Sequence, residues 1–311
     1  MFIVESHAHL IDRDWVPVGY WQANARVVSK RLGVSLEEAH LKVAEMWEGT
    51  GDLLVDTFDR AGVNHGLVLN VDWGLAPGTE DSPLPIEEIH RRCYQAVQRH
   101  PGRLSWAVGV DARRPGAARL VQKAVVEYGA KALKLRPDTG FYPNDRIVYP
   151  LYEKCVELGI PAVFHCGPIL PPLRSKYTEP IYLDDVAKDF PDLTIVASHL
   201  GHGYWQQTLS LAKSNLNMVC DLAHWDWYIG SQPRRFYETV RYIMDVIGSQ
   251  RMMFGTDVIG GRDQASYLRW VHAFTEIPPE IEGAGIRFSQ QELADFLGGT
   301  ASRVFGIAAP T

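Results

Sequence analysis

The sequence lacks the features that mark several large classes of protein. Only four of its 311 residues are cysteines, and no two of them form a CxxC pair. This argues against a disulfide scaffold and favours a reduced, cytoplasmic compartment. No apolar run approaches ~20 residues, so we expect no membrane-spanning helix. The first residues enter an apolar strand without a basic segment or a long apolar stretch, so we expect no secretory signal.

Clustered positive charge is also missing. The chain has 31 lysines and arginines against 37 acidic residues, a net charge of −6 at pH 7. Because neutralising phosphate groups requires clustered lysine and arginine, we expect no nucleic-acid partner. Hydrophobic residues make up 46% of the chain and charged residues 22%, which is ordinary for a globular protein with a large core.

What the sequence does contain is an alternation of short apolar runs and helical stretches. Most of the runs are continuous, as in strands that are covered on both faces. They lie near residues 2–6, 66–71, 104–110, 131–135, 161–165, 194–198, 217–222 and 252–256. Helical patterns separate them, among others near 85–100, 233–247 and 289–305. The alternation predicts one domain over residues 1–311 with a (β/α)8 TIM-barrel fold; the alternative is an open doubly wound sheet.

A long insert follows the first strand. Residues 11–50 precede the helical stretch near 51–61, and a helix is expected after Ser35. The insert is rich in aromatic side chains, namely Trp15, Tyr20, Trp21 and Trp47. Because it leaves the carboxyl end of strand one, where barrel active sites form, one interpretation is a lid over the substrate. The other is a packing elaboration or part of a subunit interface.

Side chains able to bind metal stand at the ends of four apolar runs. The first run ends in His7 and His9, and two residues this far apart on a strand face the same side. The others end in His165, His199 and Asp257. Each residue alone has an ordinary explanation, such as a core histidine or a turn aspartate. At the strand ends of one barrel, together they predict a site for zinc or a similar divalent ion.

The motifs around these residues resemble a known family. They are His7-Ala8-His9, Tyr142-Pro143-Asn144-Asp145, Phe164-His165-Cys166-Gly167, Phe190-Pro191-Asp192-Leu193, Ser198-His199-Leu200-Gly201, Phe254-Gly255-Thr256-Asp257 and Ala301-Ser302-Arg303-Val304-Phe305-Gly306. Nearly the whole chain resembles the amidohydrolase superfamily, in particular the amidohydrolase-2 branch. That branch contains metal-dependent hydrolases and aminocarboxymuconate-semialdehyde decarboxylase-like enzymes.

The resemblance implies a role for each strand-end residue. His7, His9 and His165 are similar to metal ligands of the family. Asp257 corresponds to the last ligand, which also accepts a proton from metal-bound water. His199 corresponds to a histidine that polarises substrate or handles a proton in mononuclear members and binds a second metal in binuclear ones.

The number of metal ions depends on the strand-four lysine. In binuclear relatives such a lysine is carboxylated and bridges two metals, and Lys134 occupies this position. The alternative is that Lys134 contacts the substrate or a carboxylate in the barrel. Many members of the branch are mononuclear, so we expect one divalent ion, Zn²⁺ with Mn²⁺ as the alternative.

Other residues are candidates for contact with the substrate. Arg136 and Arg174 are suited to anchoring a carboxylate, because guanidinium binds carboxylate in a bidentate manner. The remaining candidates are Trp21, His202, His224, Trp225 and Trp227.

These residues predict a metal-dependent hydrolase that uses metal-activated water on a small carboxylated or cyclic substrate. The alternative is a non-oxidative decarboxylase with the same ligands. In the decarboxylases a glutamate is expected after the glycine of the strand-six motif, and here His202 follows Gly201, which favours hydrolysis. A more remote alternative is a non-catalytic metal-binding barrel. We expect a small-molecule substrate and a homo-oligomer, most simply a dimer.

Overall fold

Within residues 1–260 and 264–308, nine short parallel strands form a closed barrel. They are β1 (Val4–His9), β2 (His65–Leu69), β3 (Leu104–Gly109), β4 (Leu133–Leu135), β5 (Ala162–Phe164), β6 (Ile195–Ala197), β7 (Met218–Asp221), β8 (Met252–Met253) and β9 (Val258–Ile259). Their order is β8-β7-β6-β5-β4-β3-β2-β1-β9. Strands β8 and β9 are close in sequence, and the segment they form lies beside β1. Strand β9 pairs with β1, and Ser6 N of β1 donates to Phe254 O, just after β8, at 3.1 Å. The ring therefore closes, which confirms the TIM barrel and excludes the open sheet.

The computed structural model describes residues 1–260 and 264–308, apart from the side chains of Trp227 and Gln264. Fourteen α-helices lie within this part of the chain. They are α1 (Val18–Leu32), α2 (Leu36–Ala44), α3 (Asp52–Ala61), α4 (Ile86–Arg99), α5 (Ala117–Val126), α6 (Tyr149–Leu158), α7 (Tyr182–Asp189), α8 (Trp205–Ser214), α9 (Asp226–Ser231), α10 (Pro233–Ile247), α11 (Gln264–Thr275), α12 (Pro279–Gly283), α13 (Gln290–Ala294) and α14 (Thr300–Phe305). Among these helices none is long and apolar enough to cross a bilayer.

Two hydrophobic cores follow from the alternation of strand side chains. Residues that point inward fill the barrel, and those that point outward pack under the helices. The inner cluster takes residues from successive strands, including Leu67, Leu69, Val163 and Val196, and Phe305 of α14 packs against it from the amino-terminal end. The opposite, carboxyl end of the strands is left for the site.

The helix predicted over residues 289–305 is interrupted. Helix α13 passes into a π-helical turn (Asp295–Gly299) before α14 begins. At Gly298 a Cβ atom would lie 2.1 Å from Phe2 O, so the turn lets the backbone approach the start of β1. Such wider turns accommodate local contacts that a regular α-helix does not.

The insert after β1 contains two helices, α1 and α2, of which the sequence patterns predicted only the second. An antiparallel bridge between Ile11 and Glu48 joins the two ends of the insert. Tyr20 of α1 contacts Trp73 of the loop after β2, with ring centroids 4.4 Å apart. Trp21 contacts Trp47 within the insert at 5.6 Å. Aromatic contacts thus attach the insert to the carboxyl end of the barrel.

Candidate metal centre and active site

Two imidazoles of β1 direct their Nε2 atoms at one carboxylate oxygen. His7 Nδ1 lies 3.0 Å from Asp221 Oδ2, and His9 Nδ1 donates to Leu69 O at 2.6 Å. Because a carbonyl oxygen only accepts, His9 carries its hydrogen on Nδ1 when neutral and has a lone pair on Nε2. The Nε2 atoms of His7 and His9 lie 3.4 and 2.9 Å from Asp257 Oδ1.

This arrangement fits a cation. In the neutral state of His9, two acceptors, its Nε2 and Asp257 Oδ1, face each other at 2.9 Å. A cation between such acceptors turns their repulsion into attraction. His7, His9 and Asp257 form one of two groups of possible metal ligands among the described residues, with ligand atoms within 4.8 Å of one another. Two imidazole nitrogens and a carboxylate oxygen suit Zn²⁺ or Mn²⁺.

His165 and His199 form a second pair beside this group. His199 Nδ1 lies 3.2 Å from Ala223 O, to which it donates, and His199 Nε2 lies 3.2 Å from His165 Nδ1. In this chain of hydrogen bonds His165 Nδ1 is the donor, so His165 Nε2 retains a lone pair. That buried atom has no hydrogen-bond partner within the described part of the protein. A buried acceptor without a partner is costly unless it binds a ligand.

Asp221 holds both pairs in place. Its Oδ2 accepts from His7 Nδ1, and its Oδ1 accepts from the backbone N of His199 at 2.7 Å and of Ala223 at 3.1 Å. Asp221 ends β7, which pairs with β6, the strand before His199. The sequence patterns did not indicate Asp221 as a site residue, although it closes an apolar run just as Asp257 does. With His7 and His199 it forms the second group of possible ligands.

Burial keeps the imidazoles neutral. It lowers the pKa of His7 to about 4, with a further contribution from the positive charge of Lys134. It also lowers the pKa of His165 and of His199 well below the usual range, assisted by Arg136 at His165 and by His7 at His199. Neutral imidazoles are the form that binds metal.

The two carboxylates, in contrast, remain ionised. Burial opposes ionisation of Asp257, but His224 and His7 outweigh it and hold its pKa well below the usual range. Burial likewise opposes ionisation of Asp221, but its interactions with His7 and His199, which include a hydrogen bond from each, outweigh burial and hold its pKa below the usual range. Both oxygens of Asp257 are engaged, since His224 Nε2 lies 2.6 Å from Oδ2. Loss of solvation opposes protonation of His224, but Asp257 outweighs it and raises the pKa of His224 to about 9.

Lys134 and Glu5 are ionisable residues buried beside the metal-binding group. Burial, then Arg136, lowers the pKa of Lys134 to about 8, and its Nζ lies 3.4 Å from Ser198 Oγ. Burial raises the pKa of Glu5 to about 8, although its Oε1 accepts from the backbone N of His7 and of Thr256 at 2.9 Å.

Backbone strain concentrates at the same place. Among the described residues, five non-glycine residues have positive φ: His199 at 60°, Leu200 at 45°, His202 at 52°, His224 at 63° and Asp257 at 64°. Each such conformation costs on the order of 1–3 kcal/mol and persists only where its surroundings enforce it. The loops after β6, β7 and β8 are thus held in conformations that aim these side chains at the centre.

A cavity of about 570 Å³ opens beside the centre, and four of the predicted substrate residues, Trp21, Arg136, His202 and His224, line it. Its wall includes His9, Tyr20, Trp21, Arg31, Trp73, Arg136, His165, His199, His202, His224 and Asp257. A smaller cavity of about 250 Å³ adjoins it and shares His224 and Asp257. Helix α1 contributes Tyr20, Trp21 and Arg31, so the insert forms part of the wall.

Not every predicted substrate residue reaches this cavity. Arg174 is exposed and is absent from the wall, so nothing here supports it as a carboxylate anchor. Lys134 is buried and is not among the residues of the wall. Trp225 is buried and donates through Nε1 to His199 O at 2.9 Å. It therefore holds the backbone of His199 in place and does not line the cavity. The side chain of Trp227 lies outside the described residues.

Comparison with known proteins places this arrangement in a family. The sequence model of the amidohydrolase family, for the amidohydrolase-2 branch, matches residues 4–307. The chain belongs to the amidohydrolase family. As the resemblance of its motifs predicted, this amidohydrolase is a member of an enzyme family, which argues against a non-catalytic barrel.

A curated relative matches part of the chain. A 2-keto-4-carboxy-3-hexenedioate hydratase from Sphingobium sp. (strain NBRC 103272 / SYK-6) is 27% identical over 216 residues, which is 60% of this chain and 59% of the hydratase. The match therefore spans less than two thirds of that curated relative.

Solved structures of similar fold cover nearly the whole chain. A 5-carboxyvanillate decarboxylase from Novosphingobium aromaticivorans, with bound manganese and 3-methoxy-4-hydroxy-5-nitrobenzoic acid, has a TM-score of 0.68 at 14% identity, covering 98% of this chain and 97% of that one. A 4-oxalomesaconate hydratase from Rhodopseudomonas palustris has a TM-score of 0.60 at 19% identity, covering 98% and 96%.

Proposed function

We propose that this protein is a metal-dependent hydrolase that acts with water on a small carboxylated substrate. The observation that carries the proposal is the convergence of His7 Nε2 and His9 Nε2 on Asp257 Oδ1, at the wall of a cavity that also contains Arg136. His7, His9 and Asp257 would hold the ion, with His165 Nε2 as the fourth donor. Zn²⁺ is the expected ion and Mn²⁺ the alternative, which a decarboxylase of similar fold binds.

When bound, a divalent ion polarises a substrate oxygen and lowers the pKa of a water molecule to about 7. The protein's own groups then handle the proton. Asp257 would accept it. The half-exposed His224 has a raised pKa and is protonated at neutral pH, so its Nε2, 2.6 Å from Asp257 Oδ2, donates to this carboxylate and holds it in place. His199 lines the cavity, and a water or substrate hydroxyl can compete with His165 for the lone pair on His199 Nε2.

A lyase reaction at the same centre is the second candidate. The curated relative is a hydratase and the structural neighbours include a decarboxylase. Hydration uses water in the same way as hydrolysis, whereas decarboxylation requires protonation of carbon. The absence of a glutamate after Gly201, where His202 stands, favours a water-using reaction.

Metal content and a substrate panel test the proposal. Protein purified from metal-replete medium should contain about one divalent ion per chain by elemental analysis. The panel should contain carboxylated lactones and esters, unsaturated dicarboxylates and hydroxybenzoates, with product identity assigned by mass spectrometry. Hydrolysis adds water and opens a bond, hydration adds water without cleavage, and decarboxylation releases 44 Da. The proposal would be disproved if the purified protein contained no metal and neither Zn²⁺ nor Mn²⁺ raised its activity. About two ions per chain would instead indicate that Lys134 bridges two metals.

The role of His199 needs its own variant. His199→Ala should reduce turnover by roughly 10²–10⁴-fold, the usual effect of losing a proton-transfer group. The ion should stay bound, because His7, His9 and Asp257 remain. Loss of the ion together with activity would make His199 a ligand, and near-normal turnover would exclude it from catalysis.

A further inference from the structure

The permanent charges around the main cavity are unevenly distributed. Among the described residues, the wall contains two arginines, Arg31 and Arg136, and one acidic residue, Asp257. Asp257 is already engaged by His9 and His224. Arg31 is exposed on α1, whereas Arg136 is only 8% exposed. The buried part of the cavity therefore offers one fixed cation to a ligand.

Among the described residues, partners of the Arg136 guanidinium occupy one of its edges. Its Nε lies 3.0 Å from Asp138 Oδ1, and its Nη2 lies 2.5 Å from Asp138 Oδ2. No residue in the described part of the chain accepts a hydrogen bond from Nη1. A guanidinium has five N–H donors in one plane, so the edge formed by Nη1 and Nη2 can still bind a second carboxylate side by side.

The plane of this fork is fixed by an aromatic ring. Arg136 Cζ lies 4.4 Å from the centroid of the Trp73 ring, a cation–π contact. Tyr20 of α1 contacts the same Trp73 ring at 4.4 Å. Asp138 is fully buried and holds the other edge. A buried, doubly held arginine loses little freedom when it binds a ligand.

The rest of the wall near this fork is flat and apolar. Tyr20, Trp21 and Trp73 provide aromatic faces, and Ile169 and Leu170 provide aliphatic surface. Aromatic faces favour planar, conjugated ligands over bulky saturated ones. A volume of about 570 Å³ is that of a small-molecule site.

We infer that the substrate is a planar, unsaturated or aromatic carboxylate, whose carboxylate is bound by the Nη1–Nη2 edge of Arg136 beside Trp73. Asp138 is a positioning residue that acts through Arg136. This inference rests on the proposed function, since it names the substrate class of the same site. It also assigns Arg136, rather than Arg174, as the residue that determines specificity for the carboxylate.

Binding of unreactive probes tests the inference without any turnover. Benzoate and benzamide have the same shape and differ in charge, and their Kd values can be measured by calorimetry on metal-loaded and metal-free protein. Wild type should bind benzoate about 10- to 100-fold more tightly than benzamide, the effect of a charge-assisted hydrogen-bonded pair. Arg136→Lys should lose several-fold of this preference, because an ammonium group does not form the fork.

Removing Arg136 alone would leave Asp138 charged and buried, which can unfold the protein. The double variant Arg136→Met/Asp138→Asn removes both charges together and should keep the fold, as circular dichroism can verify. Its benzoate preference should fall to about one. Asp138→Asn alone should weaken benzoate and leave benzamide unchanged. Arg174→Met is the matched control and should retain the full preference.

Several outcomes would overturn the inference. They are an unchanged benzoate preference in the folded double variant, loss of the preference in Arg174→Met, absence of binding of either probe to wild type, or tighter binding of phenyl phosphate than of benzoate. Metal content is measured on the same samples. Protein without metal that keeps an Arg136-dependent preference contradicts the proposed function only. Metal-loaded protein whose preference ignores Arg136 contradicts this inference only.

Discussion

At the scale of single residues, the two oxygens of Asp257 have different partners. Oδ1 faces the imidazoles of His7 and His9, and Oδ2 contacts His224. One carboxylate thus joins the proposed metal ligands to a histidine that reaches solvent. A carboxylate with both oxygens engaged is held in orientation, which is what proton transfer in a site requires.

Replacing Asp257 by asparagine tests this arrangement. Asparagine keeps the shape of the side chain but cannot accept a proton as a carboxylate does, so Asp257→Asn should reduce kcat by roughly 10²–10⁴-fold. Metal affinity should also fall, measured by titration with a chelator. Asp192→Asn, at an exposed position, is the control and should behave as wild type. Turnover close to normal in Asp257→Asn would remove this residue from the mechanism.

Glu5 gives a prediction about pH. Its pKa rises from an ordinary 4.5 to about 8 because it is buried, so the folded chain binds this proton more tightly than the unfolded chain. The stability it contributes is fully present below about pH 4.5 and is lost as the pH rises through about 8. Glu5→Gln stays neutral. In metal-free protein, the free energy of unfolding of Glu5→Gln should therefore rise relative to that of wild type as the pH increases from 5 to 8. The rise should be at most about 1.4 kcal/mol per pH unit.

Urea unfolding at pH 5, 6.5, 8 and 9 measures this difference. Glu127→Gln, at an exposed helix end, should follow wild type at every pH. If the gap between Glu5→Gln and wild type stays constant from pH 5 to 8, Glu5 is ionised in the folded protein and the predicted linkage is absent.

At the scale of elements, helix α1 both lines the cavity and stabilises the insert to which it belongs. Tyr20, Trp21 and Arg31 line the cavity, which is what a lid over the substrate requires. Trp21 is also buried, and its Nε1 lies 3.3 Å from Arg13 O, so it stabilises the insert itself. The lid remains a proposal, and Tyr20 tests it better than Trp21, because Tyr20 is only partly buried.

Truncating Tyr20 should separate the two roles of the insert. Tyr20→Ala removes the ring that contacts Trp73 in the cavity wall, so KM should rise several-fold and kcat should fall, with a small change in Tm. Val18→Ala on the exposed side of the same helix is the control. A large drop in Tm with unchanged kinetics, or a change in oligomeric state, would assign the insert to packing or to a subunit interface instead.

At the scale of the whole molecule, the proposed metal ligands come from both ends of the chain. His7 and His9 belong to the first strand and Asp257 follows the eighth, and these strands meet where the barrel closes. An ion bound there links residues about 250 positions apart in sequence. Because only the folded chain brings them together, metal binding should stabilise the fold.

Chelation tests this linkage. Removing the metal with EDTA and dialysis should lower Tm by several degrees, since an ion at 100 times its Kd adds about 2.7 kcal/mol to the free energy of unfolding. Zn²⁺ or Mn²⁺ should restore the Tm. His9→Ala should show little response to either treatment. Equal Tm values for the metal-loaded and stripped wild type would contradict a centre that connects β1 with the loop after β8.

The dimer expected from the sequence also belongs to this scale and stays a prediction. Sedimentation velocity on the full chain measures it directly.

The sequence by itself determined the barrel, and it predicted most of the residues that the fold brings together in the proposed centre. Continuous apolar strands alternating with helices have few folded solutions, and a histidine pair such as His7 and His9 must share a strand face. It did not reveal α1, because that helix has only a weak apolar stripe, nor the π turn before α14, which depends on contact with Phe2. Asp221 went unnoticed because an aspartate at a strand end is common and its partners, His7 and His199, are remote in sequence.

Only the tertiary structure decided which of the similar candidates share the site. Arg136 and Arg174 look alike in sequence, yet one is buried beside Trp73 and the other is exposed. His224, an ordinary loop histidine by sequence, reaches Asp257 because the loops after β7 and β8 adopt positive φ. Local pattern fixes which residues follow a strand. The direction of their side chains depends on loop conformations that contacts across the closed barrel select.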